Sequence, residues 1–326
     1  MALIKHSLAG WGGKTLCVVG VVLTLGCTPL KEEYTTPRYQ VGQIWDVKQH
    51  KIVSFAEFTS ALLKADVIYL GEAHYTPPHI DAALRILNAL VHAHKRPVLA
   101  MEMFSWDAQE TLNQYIQNGK TLGEDEFLQA VHWKENWGGT FSPYKRLVTF
   151  AHAHAIPLYA LNPPRSLIRR VASQGFARVQ QDSLFQGWKL AGAKLPHDPA
   201  YRAVIFDQII RCHPHLKPEV YEHLYEASVV RDEGMAKVIA DYLAHRQAPN
   251  RPLVSYTGGG HIQYGLPVPK RVSRRYGKPL HQITVYLHAF DPKQADEVTT
   301  LLADRIANYL WLTPVGPQGP SPRCGA

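Results

Sequence analysis

Four apolar runs along the chain each end in a polar residue. Asp66-Val67-Ile68-Tyr69-Leu70 leads into Gly71-Glu72-Ala73-His74, and Leu253-Val254-Ser255-Tyr256-Thr257 leads into Gly258-Gly259-Gly260-His261. Between them, Pro97-Val98-Leu99-Ala100-Met101 ends in Glu102, and Ile156-Pro157-Leu158-Tyr159-Ala160-Leu161 ends in Asn162. Short apolar runs of this kind, bounded by turn residues, predict buried strands. After the first run, Ile80, Leu84, Leu87 and Val91 form one apolar stripe at helical spacing, and Pro77 and Pro78 open that helix. Strand, helix and strand in this order predict a right-handed crossover between parallel neighbours.

The same patterning predicts a short helix over Ser54–Leu63, a helix over Ala108–Gln117 with Asp107 as its cap, and one from Pro143 to His154. Residues 165–246 show helical segments, including Pro199–Ile210 and Pro218–His245, with no convincing strand. Gln282–Leu287 predicts a fifth strand at either edge. The expectation is an α/β fold, a parallel β-sheet flanked by helices with a smaller all-helical subdomain. Its core comprises residues 51–164 and 247–312, its helical subdomain 165–246 and a flexible tail 313–326. All four polar termini then share the carboxyl edge of the sheet, where open α/β sheets bind ligands.

The first residues belong to a different kind of pattern. Lys5 and Lys14 precede the apolar run Leu16–Leu25, which stops at Gly26-Cys27. A basic start, a short apolar stretch and a small residue describe a bacterial secretory signal over residues 1–26. The cysteine that follows resembles the lipid-bearing residue of a lipobox, although Thr24 stands where that motif usually has leucine. The expectation is an outer-membrane lipoprotein of the cell envelope, anchored through Cys27 and tethered by residues 27–50. Thr28 in place of an aspartate favours the outer membrane over retention at the inner one. Cys212 and Cys324 would remain to pair in an oxidising compartment.

Charge narrows the partners. The chain carries a formal net charge of +8, spread along its length apart from Arg169-Arg170 and the group Lys270, Arg271, Arg274 and Arg275. No nucleic-acid motif accompanies these residues, so anionic lipid or an anionic ligand is expected, with no nucleic-acid partner.

The strand ends supply the chemistry. Glu72 with His74, and Glu102 with His261, would bring two carboxylates and two imidazoles together, a set suited to acid–base work or to zinc, manganese or iron. Gly258-Gly259-Gly260 lets backbone approach a ligand and offers N–H groups, without the Lys-Ser/Thr of a phosphate loop.

Five ordered blocks carry a family resemblance: Leu70-Gly71-Glu72-Ala73-His74, Met101-Glu102-Met103-Phe104, Leu161-Asn162-Pro163-Pro164-Arg165, Arg231-Asp232-Glu233-Gly234-Met235-Ala236 and Gly258–Pro267. Between residues 50 and 275 the chain resembles the ChaN-type haem-binding lipoproteins, relatives of TIKI-type metalloproteases and erythromycin esterases. The resemblance implies haem at a homodimer interface, with iron held by tyrosine and propionates met by histidine from the opposite subunit. It also implies a role in haem and iron acquisition, with a haem or siderophore receptor as a further partner. The chain departs from the family at His74-Tyr75-Thr76-Pro77-Pro78-His79-Ile80, where an asparagine is replaced and one histidine is lost, and at Arg231, where tryptophan is usual.

Haem asks for a hard oxygen ligand to ferric iron, cations or donors for its carboxylates and apolar walls for its faces. Tyr264 is the first candidate iron ligand, Tyr144 the second and Tyr75 the third. His79 or His261, with Arg271, are candidates for the propionates, and Glu72, His74 and Glu102 line the same cleft. The alternative function is a metal-dependent hydrolase that uses Glu72, His74, Glu102 and His261. An envelope adaptor without a cofactor is the third.

Overall fold

In the computed structural model, residues 39–117, 122–181, 183–187, 198–246, 248, 251–317 and 319 are described. The expected secretory signal (residues 1–26), Cys27 and Cys324 lie outside these residues. Eight strands form one sheet: β1 (Ile44–Asp46), β2 (Lys51–Val53), β3 (Val67–Glu72), β4 (Val98–Ser105), β5 (Leu158–Asn162), β6 (Leu253–Gly258), β7 (Gln282–Ala289) and β8 (Tyr309–Thr313), in the order β2-β1-β8-β7-β3-β6-β4-β5. The six from β8 to β5 run parallel, while β1 pairs antiparallel with β8 and β2 antiparallel with β1.

The four apolar runs with polar termini are thus the adjacent strands β3, β6, β4 and β5. Every residue of β3, β4 and β6 is buried, because helices cover both faces of the sheet. That is why these strands read as unbroken apolar runs rather than as alternating ones. On one face, Ile68, Leu70, Leu99, Met101, Val254 and Tyr256 pack against the helices Pro77–His92 and Ser142–Ala153. On the other, Val67, Tyr69, Val98, Ala100 and Leu253 meet Met235, Ala236 and Ile239 of the helix Pro218–His245 and Val272 of the helix Val268–Tyr276.

The fifth expected strand, β7, lies inside the sheet between β3 and β8 rather than at an edge. Its outer neighbour β8 is only five residues long, and its last residue, Thr313, falls within the expected tail. Strand β1 likewise falls within the expected tether. Three residues are too few to show a period. The predicted short helix is present as Phe55–Leu62, and Ser54 closes a capping box with Glu57. Asp107 sits in a 3₁₀ turn, Trp106–Ala108, and accepts from the Asn136 amide, so the next helix begins at Gln109.

The helix Pro218–His245 has 28 residues, a length of about 42 Å. Toward its start, Val230 packs with Leu167, Val171 and Phe176, and Val229 with Tyr201 and Ile205. Farther along, Met235 and Ile239 reach the sheet. One continuous helix therefore ties the helical layer to the sheet. No described helix is long and apolar enough to cross a membrane.

Candidate functional site

Register brings the polar strand ends level. Glu72 lies opposite Gly258 across β3 and β6, and Met101, one residue before Glu102, lies opposite Tyr256 across β4 and β6. Gly258 sits at the centre: a Cβ there would press to 3.0 Å of the His74 ring and push it aside. Two groups of side chains meet around it.

The first group is built on Glu72. Its Oε1 accepts from the Tyr144 hydroxyl at 2.8 Å and lies 2.9 Å from His74 Nδ1, and its Oε2 accepts from the Tyr256 hydroxyl at 2.6 Å. Burial pushes the Glu72 carboxyl above its ordinary range despite these donors. Burial alone would lower the pKa of His74, but its bond to Glu72 and the charge on Glu102 raise it instead. Trp137 stands edge-on to the His74 ring at 4.9 Å.

The second group is built on Glu102. Its Oε2 accepts the Gly258 N–H at 2.7 Å, and its Oε1 lies 3.2 Å from His261 Nε2. His261 Nδ1 lies 2.6 Å from Asp232 Oδ1, and Asp232 Oδ2 accepts from the Tyr201 hydroxyl at 2.6 Å. Burial works against charge on Glu102, yet the facing His261 overcomes it and holds the carboxyl far below its usual range. His261, buried between two carboxylates, is pushed up to about 10 by their charge.

Not every residue singled out from the sequence reaches this cleft. His79 is fully buried; its Nδ1 accepts the Ala73 N–H at 2.9 Å, and its Nε2 has no hydrogen-bond partner among the described residues. It fixes the turn that carries His74. Arg271 is only 2% exposed. Its Nε lies 3.0 Å from Glu233 Oε1, and its Nη1 donates to the carbonyl oxygen of Pro267 at 2.8 Å. Arg274 and Arg275 bind the same Glu233. Neither His79 nor Arg271 is presented at the surface, where a propionate would arrive.

The three tyrosines also differ. Tyr144 is buried, accepts the Tyr75 N–H at 3.0 Å and donates a hydrogen bond from its hydroxyl to Glu72. Tyr75 sits in a left-handed conformation (φ 61°) and presses its hydroxyl so close to Gly139 that no Cβ fits there. Tyr264 is 38% exposed, on a left-handed turn (φ 57°) whose N–H donates to the carbonyl oxygen of Ile306 at 2.6 Å. Two residues on, Leu266 packs against the cluster of Tyr201, Ile205, Tyr225 and Val229, as do Phe206 and Ile209 of the helix Pro199–Cys212, and Ile210 on that helix is 48% exposed. An exposed phenol fits ferric haem, whose iron accepts a hard oxygen, and the same segment carries the apolar Leu266.

Sequence reasoning gave no role to Asp232, Tyr201 or Tyr256. Asp232 stands in a block that carries the resemblance, which was the one available signal; Tyr201 and Tyr256 look like ordinary core aromatics. Among the described residues, no group of three or more His, Cys, Asp or Glu side chains is placed to hold a metal ion. Cys212 is disulfide-bonded, and its expected partner Cys324 lies outside the described residues.

Comparison with known proteins agrees with this architecture. A solved structure of ChaN from Campylobacter jejuni, described as binding haem cofacially, superposes with a TM-score of 0.61, covering 82% of this chain and 95% of that one at 21% identity. An erythromycin esterase overlaps more loosely, with a TM-score of 0.43 at 13% identity over 76% of each chain. The chloroplastic protein RETICULATA-RELATED 5 of Arabidopsis thaliana is 26% identical over 279 residues, 78% of this chain, which spans 35% of the plant protein's length. The family model for haem-binding uptake proteins of the Tiki superfamily, ChaN, matches residues 58–272, a span that holds Glu72, Glu102, Asp232, His261 and Tyr264 alike, and the chain belongs to that family.

Proposed function

We propose that this protein binds ferric haem at the surface around Tyr264, as an outer-membrane lipoprotein of haem or iron acquisition that pairs into a homodimer on its ligand. Membership of a haem-binding family supports the ligand. The observation that carries the site is the exposure of Tyr264, while Tyr144 is buried and donates to Glu72. Haem would supply the iron and its redox chemistry; the chain's part is to offer a phenolate oxygen, exclude water with Leu266 and its neighbours, and keep the turn rigid. Arg271 helps by fastening the backbone at Pro267, and His261, pinned by Asp232 and Glu102, anchors the start of the same segment. These two residues therefore position the turn rather than touch the propionates.

Titrating the full-length protein with ferric haem tests this. A saturable visible spectrum with a phenolate-to-iron band is expected, and Tyr264→Phe should remove the band. Binding that never saturates, or a band untouched by Tyr264→Phe and lost in Tyr144→Phe, would overturn the assignment. Lipid labelling lost in Cys27→Ala and sedimentation with and without haem test the anchor and the dimer.

A hydrolase is the second reading, favoured by one observation: the Glu72 carboxyl is pushed up and the Glu102 carboxyl down within one cleft. Groups held apart in this way are suited to act as acid and base. A metal is harder to accommodate, because hydrogen bonds already engage Glu72 at both oxygens and Glu102 likewise. Ester and peptide turnover lost in Glu72→Gln would favour this reading over a purely binding role.

A further inference from the structure

Haem carries two carboxylates, and the residues first suggested for them are enclosed or engaged elsewhere. Arg271 is buried on Glu233, His79 is enclosed, and Arg274 and Arg275 share the same glutamate. Lys270 lies 2.7 Å from Asp198, and Arg211 lies 2.8 Å from Asp207. The structure offers a different cation. The Tyr264 N–H donates to Ile306, and the residue before Ile306 is Arg305.

Arg305 is exposed and has no ion-pair or hydrogen-bond partner for its side chain among the described residues. Its place follows from how a helix stops. The helix Ala295–Ala303 ends with Arg305 in the left-handed conformation (φ 53°). The Arg305 N–H donates to Leu302 at 3.2 Å and the Ile306 N–H to Leu301 at 3.1 Å. These two bonds satisfy two carbonyls of the last helical turn, and Arg305 at the stop is exposed. Positive charge is favoured there by the helix dipole, which accounts for the residue without a ligand. What the dipole does not account for is the direct tie between this stop and the Tyr264 turn. The segment also lies beyond the family-matched residues 58–272, so this cation is supplied by the chain's own C-terminal part.

We propose that Arg305 binds a carboxylate of the porphyrin held at Tyr264, and so selects free dicarboxylate porphyrins over esterified ones. The inference rests on the haem-binding reading. A guanidinium can meet a carboxylate with two parallel N–H donors, which a lysine cannot match. Because the site is open to water, the gain is modest and weakens with salt.

The test titrates the full-length protein at low salt with ferric protoporphyrin IX and, separately, with its dimethyl ester. Arg305→Gln keeps a non-glycine side chain at the helix stop and removes only the charge. It should weaken binding of the free acid roughly fivefold, the size of a solvent-screened ion pair, and leave the ester unchanged. Arg305→Lys should recover part of the loss, and the difference should shrink in high salt. The proposal is overturned if Arg305→Gln binds the free acid like the unaltered protein, or loses as much with the ester. If the unaltered protein shows no saturable, Tyr264-dependent binding, the haem reading fails and this proposal falls with it. If that binding is present and Arg305→Gln is silent, the proposal alone fails.

Discussion

The two carboxylates at the strand ends sit within one cleft and are held in opposite states. Glu72 is surrounded by neutral hydroxyls from Tyr144 and Tyr256 with one imidazole, so burial dominates and its proton affinity rises. Glu102 faces His261, which is itself held charged by Asp232, so the ion pair dominates and its proton affinity falls. Equal burial does not give equal chemistry. What decides is how much of the burial cost the facing histidine offsets: His74 offsets only part of it at Glu72, whereas His261, itself paired with Asp232, more than offsets it at Glu102.

The largest effect should come from breaking the charged group. Asp232→Ala leaves His261 with one counter-charge and Tyr201 without an acceptor, and should cost about 3–5 kcal/mol in chemical unfolding. A loss below about 1 kcal/mol would show that Asp232 does not hold His261 in a buried pair.

Glu72→Gln removes no net ion pair of comparable strength. It should cost about 1–3 kcal/mol, clearly less than Asp232→Ala. Equal losses would erase the contrast between the two groups.

Acid and alkali should separate two histidines. Burial, with His288 nearby, holds the His79 pKa down to about 3. The unfolded chain therefore binds a proton that the native state refuses, and the stability due to neutral His79 is present above pH 6.5 and lost as pH falls below it. For His261 the sign reverses: its contribution is present below pH 6.5 and lost as pH rises through about 10. In unfolding curves against pH, His79→Asn should flatten the acid limb by at most about 1.4 kcal/mol per pH unit. An unchanged acid limb would mean that His79 can be protonated in place.

The smallest effect is a control far from both groups. Arg146 and Asp81 form an exposed ion pair at 2.5 Å, and Arg146→Ala should change stability by less than about 1 kcal/mol. A larger change would mean that surface charge, rather than the buried cleft, governs stability.

The central sheet was legible in the chain because burial on both faces leaves β3, β4 and β6 continuously apolar. The position of β7 was not, since it depends on β8, a neighbour from the far end of the sequence. At the site, Glu72, His74, Glu102 and His261 could be read because each directly follows a strand. Asp232 could not, because it lies within a continuous helix, where spacing does not announce a polar residue turned inward. Residue type was also a poor guide to exposure. His79 and Arg271 look like surface partners for an anion, yet one supports a turn from beneath and the other is enclosed by Glu233 and Tyr201.

Asp232 and Glu233 are consecutive on one helix, so they point about 100° apart. The first answers His261, and the second gathers Arg271, Arg274 and Arg275. A roll of the helix in either direction would tear both ionic sets at once. The azimuth of the helix is therefore keyed like a two-bitted lock.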